Sequence, residues 1–211
     1  MKAVLKYPGA KWRISEWIIS HFPEHKVYCE PFFGSGAVFF NKPQTYIETI
    51  NDIDGNIVNL FKVCRDNPEE LARLIEFTPF AREEFENCYD KSDDSLEQAR
   101  RTLVRYHQSF GTSNSSKKSW RNVQTYGGPR TATMWNYLPG RISEICARLK
   151  EAQIENIDAI ELIRRYNDEN TLLYCDPPYL QSLRRKNMYS CELSEEYHIN
   201  LLSVLKESKS K

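Results

Sequence analysis

Apolar residues in this chain follow two alternating rhythms, and the alternation predicts an α/β fold. Four short runs rich in aliphatic, aromatic and β-branched side chains, at residues 27–33, 46–50, 152–157 and 171–175, read as strands. Between them, apolar positions recur three and four apart, which places them on one face of a helix. Ile57, Leu60, Phe61 and Cys64 form such a face over 55–65, and Ile142, Ile145, Cys146 and Leu149 form another over 139–152. Residues 96–110 carry Leu96, Ala99, Leu103, Tyr106 and His107 in phase, with Arg101 and Arg105 on a different side. Helices are also expected at 68–77, where Pro68 suits a first turn, at 159–166, and at 194–206, with Ile199, Leu202 and Leu205 in register. A further helix is expected to open at Gly34, directly after the first strand.

Composition adds limits rather than detail. At 211 residues, 40% hydrophobic and 12% aromatic, the chain can bury a substantial core in one large or two small domains. No apolar run approaches the roughly 20 residues of a membrane span, and Pro8 and Gly9 interrupt the start before a signal-peptide core could form. A soluble cytoplasmic protein with no membrane partner is therefore expected. The six cysteines form no C-x-x-C pair and have no paired histidine spacing, so neither a metal site nor a disulfide framework is expected. Cys29 and Cys175 lie in chemically interesting segments, but each sits inside a strand-like run where a small packing thiol belongs.

Charge is balanced in number and uneven in place. Lys and Arg total 29, as do Asp and Glu, yet residues 98–143 contain no acid and eight cations. The same stretch holds Tyr106, Phe110, Trp120, Tyr126, Trp135 and Tyr137. Cations interleaved with aromatic rings suit a nucleic-acid surface, where the former neutralise phosphates and the latter stack or wedge. Arg100, Arg101, Arg105, Lys117, Lys118 and Arg121 are candidate phosphate contacts, and Ser113, Asn114 and Asn122 candidate base readers, by residue type.

Two strand ends carry the candidate chemistry. Thr171-Leu-Leu-Tyr-Cys runs into Asp176-Pro-Pro-Tyr179, where two prolines fix φ and remove two backbone donors. Asp176 and the carbonyls of the turn then form a rigid acceptor set beside an aromatic face, suited to an exocyclic amino group on a planar base; alone, the same loop also reads as a solvated Pro-Pro turn. Glu30-Pro-Phe-Phe-Gly-Ser-Gly36 is a glycine turn that lets backbone approach a ligand closely. It lacks the third glycine of a dinucleotide fingerprint. Asp52, eighteen residues after Gly34 and at the end of the next strand, is placed to accept ribose hydroxyls, and Asp54 to cap the following helix. A nucleoside ligand without a diphosphate fits this pairing, and S-adenosylmethionine has that shape.

Lys6-Tyr-Pro-Gly-Ala-Lys11, Glu30-Pro-Phe-Phe-Gly-Ser-Gly-Ala-Val-Phe39, Asn51-Asp-Ile-Asp54 and Asp176-Pro-Pro-Tyr179, in that order, resemble the motifs of the Dam-like (D12 class) adenine-specific DNA methyltransferases. The resemblance implies a Rossmann-like S-adenosylmethionine-dependent methyltransferase sheet, at 1–65 and 152–211, interrupted by an inserted, mainly helical target-recognition domain at 66–151. It implies double-stranded DNA as partner, with adenine N6 methylated after base flipping. Tyr7, Lys11, Glu30, Phe32, Gly34, Ser35, Gly36 and Asp52 match cofactor-binding positions, and Asp176, Pro177, Pro178 and Tyr179 match the catalytic loop, Asp176 also touching the cofactor. Tyr7 stands where some members have tryptophan. Asp158 matches a weaker adenine-contacting position and equally suits a helix cap. Cytosine N4, RNA or a protein amide remain alternative substrates for such a loop.

Sheets of this family have seven strands in the order 3-2-1-4-5-7-6, whereas only the first four are recognisable here. The strand bearing Asp176 is therefore expected to be an unprotected edge, as in a shortened, noncatalytic DNA-binding remnant or one half of a split enzyme completed by a second chain.

Overall fold

The computed structural model describes residues 1–110, 119–124, 126–128, 130–180, 182 and 189–211. Its centre is a four-stranded, wholly parallel sheet in the order β3-β2-β1-β4. The strands are β1 (Val27–Glu30), β2 (Ile47–Asn51), β3 (Gln153–Glu155) and β4 (Thr171–Leu173). Each predicted run yields one strand, shorter than its apolar stretch because Pro31 ends β1 and the loop leading to Pro177 and Pro178 ends β4. Chain order reverses at the β1–β4 pair, so the loops leaving these two strands diverge and open a crevice at the carboxyl end of the sheet.

Helices flank the sheet: α1 (Ser15–Ile19), α2 (Gly55–Asp66), α3 (Pro68–Phe77), α4 (Arg82–Asn87), α5 (Ser95–Gln108), α6 (Thr131–Trp135), α7 (Leu138–Lys150), α8 (Ala159–Arg165) and α9 (Glu195–Glu207). The longer ones bury the stripes their periodicity predicts, such as Ile57, Leu60, Phe61 and Cys64 on α2. Their starts are fixed by local chemistry. Asp54, Asp94, Asp158 and Ser194 each accept backbone N–H groups at a first turn. The helix expected from Gly34 does not form: 37–41 is a series of turns, held by bonds such as Phe40 N–H to the Gly36 carbonyl at 2.9 Å. Gly34 and Gly36 have φ of 50° and 65°, outside the right-handed helical range, and a Cβ at Gly36 would lie 2.4 Å from the Phe33 ring, which packs with Phe39, Phe40 and Phe61.

One continuous core joins sheet and helices. Tyr28 and Ile50 from the strands, Leu60 and Phe61 from α2, Leu71 and Ile75 from α3, Leu103 from α5, and Leu138 and Ile145 from α7 belong to a single buried cluster. The helices of segment 66–151 thus share the sheet's core, packed chiefly against α2 and one another. A buried ionic knot adds to this tie. Glu48 of β2 receives Lys42 and both terminal nitrogens of Arg148 from α7, with Arg148 Nη2 at 2.7 Å, and the Lys42 and Glu48 side chains are almost fully buried. Burial alone would raise the Glu48 carboxyl, but its two cationic partners hold it below its ordinary range.

The far side of β4 is not bare. Helix α9 returns the chain so that Lys211 N–H donates to the Thr171 carbonyl at 2.9 Å and Leu173 N–H to the Lys211 carbonyl at 3.0 Å. Both bonds bracket Leu172, the pattern of a parallel bridge. A second small core of Ile160, Ile163 and Leu201, with Phe32, Leu173 and Val204 against it, covers this edge. β4 is the edge of the sheet, as expected, and on its outer side these two backbone bonds flank Leu172.

Candidate active site at the β1–β4 switch point

Three loops meet outside the carboxyl ends of the strands, and two asparagines stitch them together. Asn51, last residue of β2, donates to the Pro31 carbonyl at 2.9 Å and the Ile157 carbonyl at 3.1 Å, and accepts the Ile157 N–H at 2.9 Å. Asn156 donates to the Asp52 carbonyl at 2.7 Å. A fully buried amide can meet these demands only in one orientation, so the loops after β1, β2 and β3 are held in fixed register. Nothing in the spacing of the sequence points to this role for Asn51 or Asn156.

Asp52 is buried inside this scaffold. Its Oδ2 accepts the Gly34 N–H at 2.8 Å and its Oδ1 the Asp54 N–H at 2.9 Å. Burial pushes its carboxyl up to about 6, against the pull of those two N–H bonds. The glycine turn therefore spends the Gly34 N–H on orienting the acid, and Gly36 N–H on the Phe33 carbonyl at 2.8 Å. Gly34 itself, with φ of 50°, leaves room for the Tyr7 ring, whose Cδ1 would be 2.8 Å from a Cβ. Asp54 caps α2 as expected, accepting Asn56 N–H at 2.9 Å, and its other oxygen takes the Ser190 hydroxyl.

Lys11 reaches across from the first motif to the loop after β4. Its ammonium donates to Asp176 Oδ2 at 2.6 Å, Tyr179 Oη at 2.9 Å and the Gly9 carbonyl at 2.8 Å, and it lies 5.1 Å from the Tyr179 ring centre. Burial pulls the lysine down, but the bonds to Asp176 and Tyr179 prevail and raise it. Glu30, at the end of β1 and fully buried, accepts the Tyr28 hydroxyl at 2.6 Å. Burial pushes its carboxyl to about 8, and the negative charge of Asp176 pushes the same way.

The resulting cleft is lined by ten of the site residues named from the sequence: Tyr7, Lys11, Glu30, Phe32, Gly34, Ser35, Asp52, Asp158, Asp176 and Pro178. Tyr179 stands beside it, 46% exposed, with the Lys11 ammonium over its ring. Gly36 packs against phenyl rings instead. Asp158 does cap α8, through Oδ1 to Ile160 N–H at 3.0 Å and Glu161 N–H at 3.2 Å, and it faces the cleft as well. Residues without a sequence signal complete the wall: Tyr174, Tyr189, Cys191, Leu193 and Tyr197. Cys29 and Cys175 behave as packing thiols, and burial pushes Cys175 up to about 12.

The basic segment divides. Arg100 is turned inward, with Nε and Nη2 on Glu97 at 2.7 Å and Nη1 on Glu84 at 2.6 Å, and Arg101 binds Glu97 at 2.7 Å and the Asp90 carbonyl at 2.8 Å. Arg105 lies over the Tyr89 ring. Tyr106 and Trp135 are core residues, Trp135 donating to the Thr78 carbonyl at 2.8 Å, whereas Phe110, Tyr126 and Tyr137 are exposed. Ser113, Asn114, Lys117 and Lys118 lie outside the described residues; Asn122 is exposed. Arg121 is tethered through Nε to the Ser109 carbonyl at 3.0 Å. Near it, Lys6 is half-buried; burial and the guanidinium groups of Arg121 and Arg141 lower it to about 8. The same three cations, after burial, hold His107 neutral near 3, so its Nε2–H donates to the Val4 carbonyl at 2.8 Å.

A crevice at the switch point of a parallel sheet, with a buried acid after β2 and a Pro-Pro loop after β4, places the candidate site where open α/β sheets hold their ligands. The family model of the D12 class N6 adenine-specific DNA methyltransferases matches residues 7–211, and the chain belongs to that family. It is 27% identical over 185 residues to a DNA adenine methylase of Haemophilus influenzae, covering 83% of this chain and 63% of the relative. It is 24% identical over 220 residues to the DNA adenine methylase of Salmonella typhi, covering 98% and 73%. Against the DNA N-6-adenine-methyltransferase of Escherichia phage P1 it is 28% identical over 190 residues, covering 84% of this chain and 24% of the phage protein. The chain thus spans less than two thirds of the length of the Haemophilus relative. Among the described residues no helix is long and apolar enough to cross a membrane.

Proposed function

We propose that this chain methylates adenine N6 in double-stranded DNA, with S-adenosylmethionine as methyl donor. The observation that carries the reading is the Lys11–Asp176–Tyr179 cluster, poised over the same cleft as Asp52. The cleft residues fit the donor: Asp52 is a desolvated carboxylate in the cleft wall, and Gly34 leaves room for the Tyr7 ring that lines the same cleft. When bound, the donor supplies a methyl group on a cationic sulfonium. Asp52 would hold the ribose hydroxyls and Tyr7 and Phe32 would flank the ligand, with Glu30 at the floor.

Asp176 and the Pro177 carbonyl accept the hydrogens of the target amino group and turn its lone pair toward the donor side of the cleft. As positive charge develops on nitrogen, the Asp176 carboxylate stabilises it where it forms. Tyr179 offers its exposed ring to a base removed from the helix. Residues 66–151 serve as the recognition region, with Lys6, Arg121 and Arg141 as the phosphate contacts, joined by Lys117 and Lys118. Incubation with tritiated S-adenosylmethionine and duplex DNA, followed by nucleoside mass spectrometry, should give N6-methyladenine. Label on cytosine N4 or on protein, or no label from folded protein that binds the donor, would overturn the reading.

A further inference from the structure

One cleft wall contains a hydrogen bond that helix capping does not require. Asp158 needs only Oδ1 to cap α8, since that oxygen takes both first-turn N–H groups. Its Oδ2 nevertheless accepts the Tyr197 hydroxyl at 2.7 Å. Tyr197 comes from a different helix and is itself fixed, because its N–H donates to the α9 cap Ser194 at 3.1 Å and its ring packs against the Ile160, Ile163 and Leu201 cluster. Both side chains line the cleft, with Phe32 and Leu193 between β1 and α9. A carboxylate oxygen can accept two hydrogens; with a phenol on one side, the second acceptor direction is set.

Resting on the proposed nucleoside-donor reading of this cleft, we propose that Tyr197 is a positioning residue that holds Asp158 as the acceptor for the purine 6-amino group of the methyl donor, so selecting an adenosyl over an inosyl ligand. Burial and the Asp158 carboxylate both raise the phenol, so it remains a donor throughout the working pH range. A ring carrying oxygen at position 6 would set its lone pairs against Asp158 Oδ2 in this half-buried wall, and an acceptor facing an acceptor is penalised.

The test is calorimetric titration of S-adenosylhomocysteine and S-inosylhomocysteine into the wild-type chain, Tyr197→Phe and Asp158→Asn, with melting temperatures in parallel. Wild type should prefer the adenosyl ligand by roughly tenfold or more. Tyr197→Phe should lose adenosyl affinity about fivefold with little change for the inosyl ligand. Asp158→Asn keeps an oxygen for the cap and offers an amide N–H to the purine, so it should shift preference toward the inosyl ligand. Equal losses for both ligands in Tyr197→Phe would make the ring a mere wall, and an unchanged ratio in both variants would overturn the assignment. Binding of neither ligand by the wild-type protein would overturn the nucleoside reading and the role of Tyr197 with it, whereas normal wild-type selectivity with an unchanged Tyr197→Phe ratio would remove only the latter.

Discussion

The cleft and the basic segment were equally conspicuous in the sequence, yet the fold treats them differently. Ten site residues named from the sequence and spread over about 170 positions converge on one cleft, whereas cations of the basic segment part company, Arg100 and Arg101 toward Glu84, Glu97 and Asp90 and Arg121 toward Lys6 and Arg141. Strand ends explain the first behaviour: in a parallel sheet every loop leaving a carboxyl end goes to the same side. Charge composition carries no such constraint. An acid-free stretch counts cations without saying which of them meets acids from the adjoining segment, and here residues 84, 90 and 97 lie just before it.

The sharpest break of the comparison is within the cleft. Asp176→Ala removes the acceptor proposed to face the target amine, and methyl transfer should fall by roughly 10²–10³-fold. The melting temperature should move little, because the Lys11–Asp176 pair is partly exposed and such pairs contribute little stability. A single-turnover rate measured beside a thermal melt checks both. Unchanged transfer would detach the Pro-Pro loop from the chemistry and leave the cleft a binding site only.

Next in size is the contrast among cations. Arg121→Ala and Lys6→Ala should each weaken DNA binding and lower the salt slope of log Kd by about one. Arg100→Ala should leave that slope alone and instead lower the melting temperature, since it strips Glu84 and Glu97 of a half-buried partner that holds Glu97 near 2. Fluorescence anisotropy across a salt series separates the two. A lower slope for Arg100→Ala would show that the inward pairs open on DNA.

Much of the fold was legible, for the reason that made the cleft legible. The four apolar runs give the four strands, their order β3-β2-β1-β4 is the one the family resemblance implies for the first four, and Asp54 acting as cap while Asp52 faces the cleft follows from one being nearer the helix. What stayed hidden depends on contacts between distant residues with no local pattern. Asn51 and Asn156 clamp loops about 100 residues apart, Glu48 gathers Lys42 and Arg148, and Lys211 adds a bridge to β4. The helix expected after Gly34 failed because Gly34 and Gly36 both take positive φ, which apolar periodicity does not register.

The smallest expected effect concerns Asp52, and its sign distinguishes a ligand acid from a structural one. Burial raises its carboxyl to about 6, above its ordinary value of 3.8, so between those values the folded state holds a proton the unfolded state has released. Stability of the ligand-free protein should therefore decline as pH rises from about 4 to about 6, by this group's share. Ribose hydroxyls donate best to the ionised carboxylate, so donor affinity should move the opposite way, strengthening up to severalfold as pH rises through about 6 and then levelling. Titration calorimetry at pH 5, 6 and 7 in buffers of different ionisation heat would detect proton release on binding near pH 6. Asp52→Asn should abolish that release while keeping an oxygen for the Gly34 N–H. If affinity is flat across the range while the stability trend persists, Asp52 serves only to orient the glycine turn, and the cleft would then share with the basic segment a charge spent inside the fold.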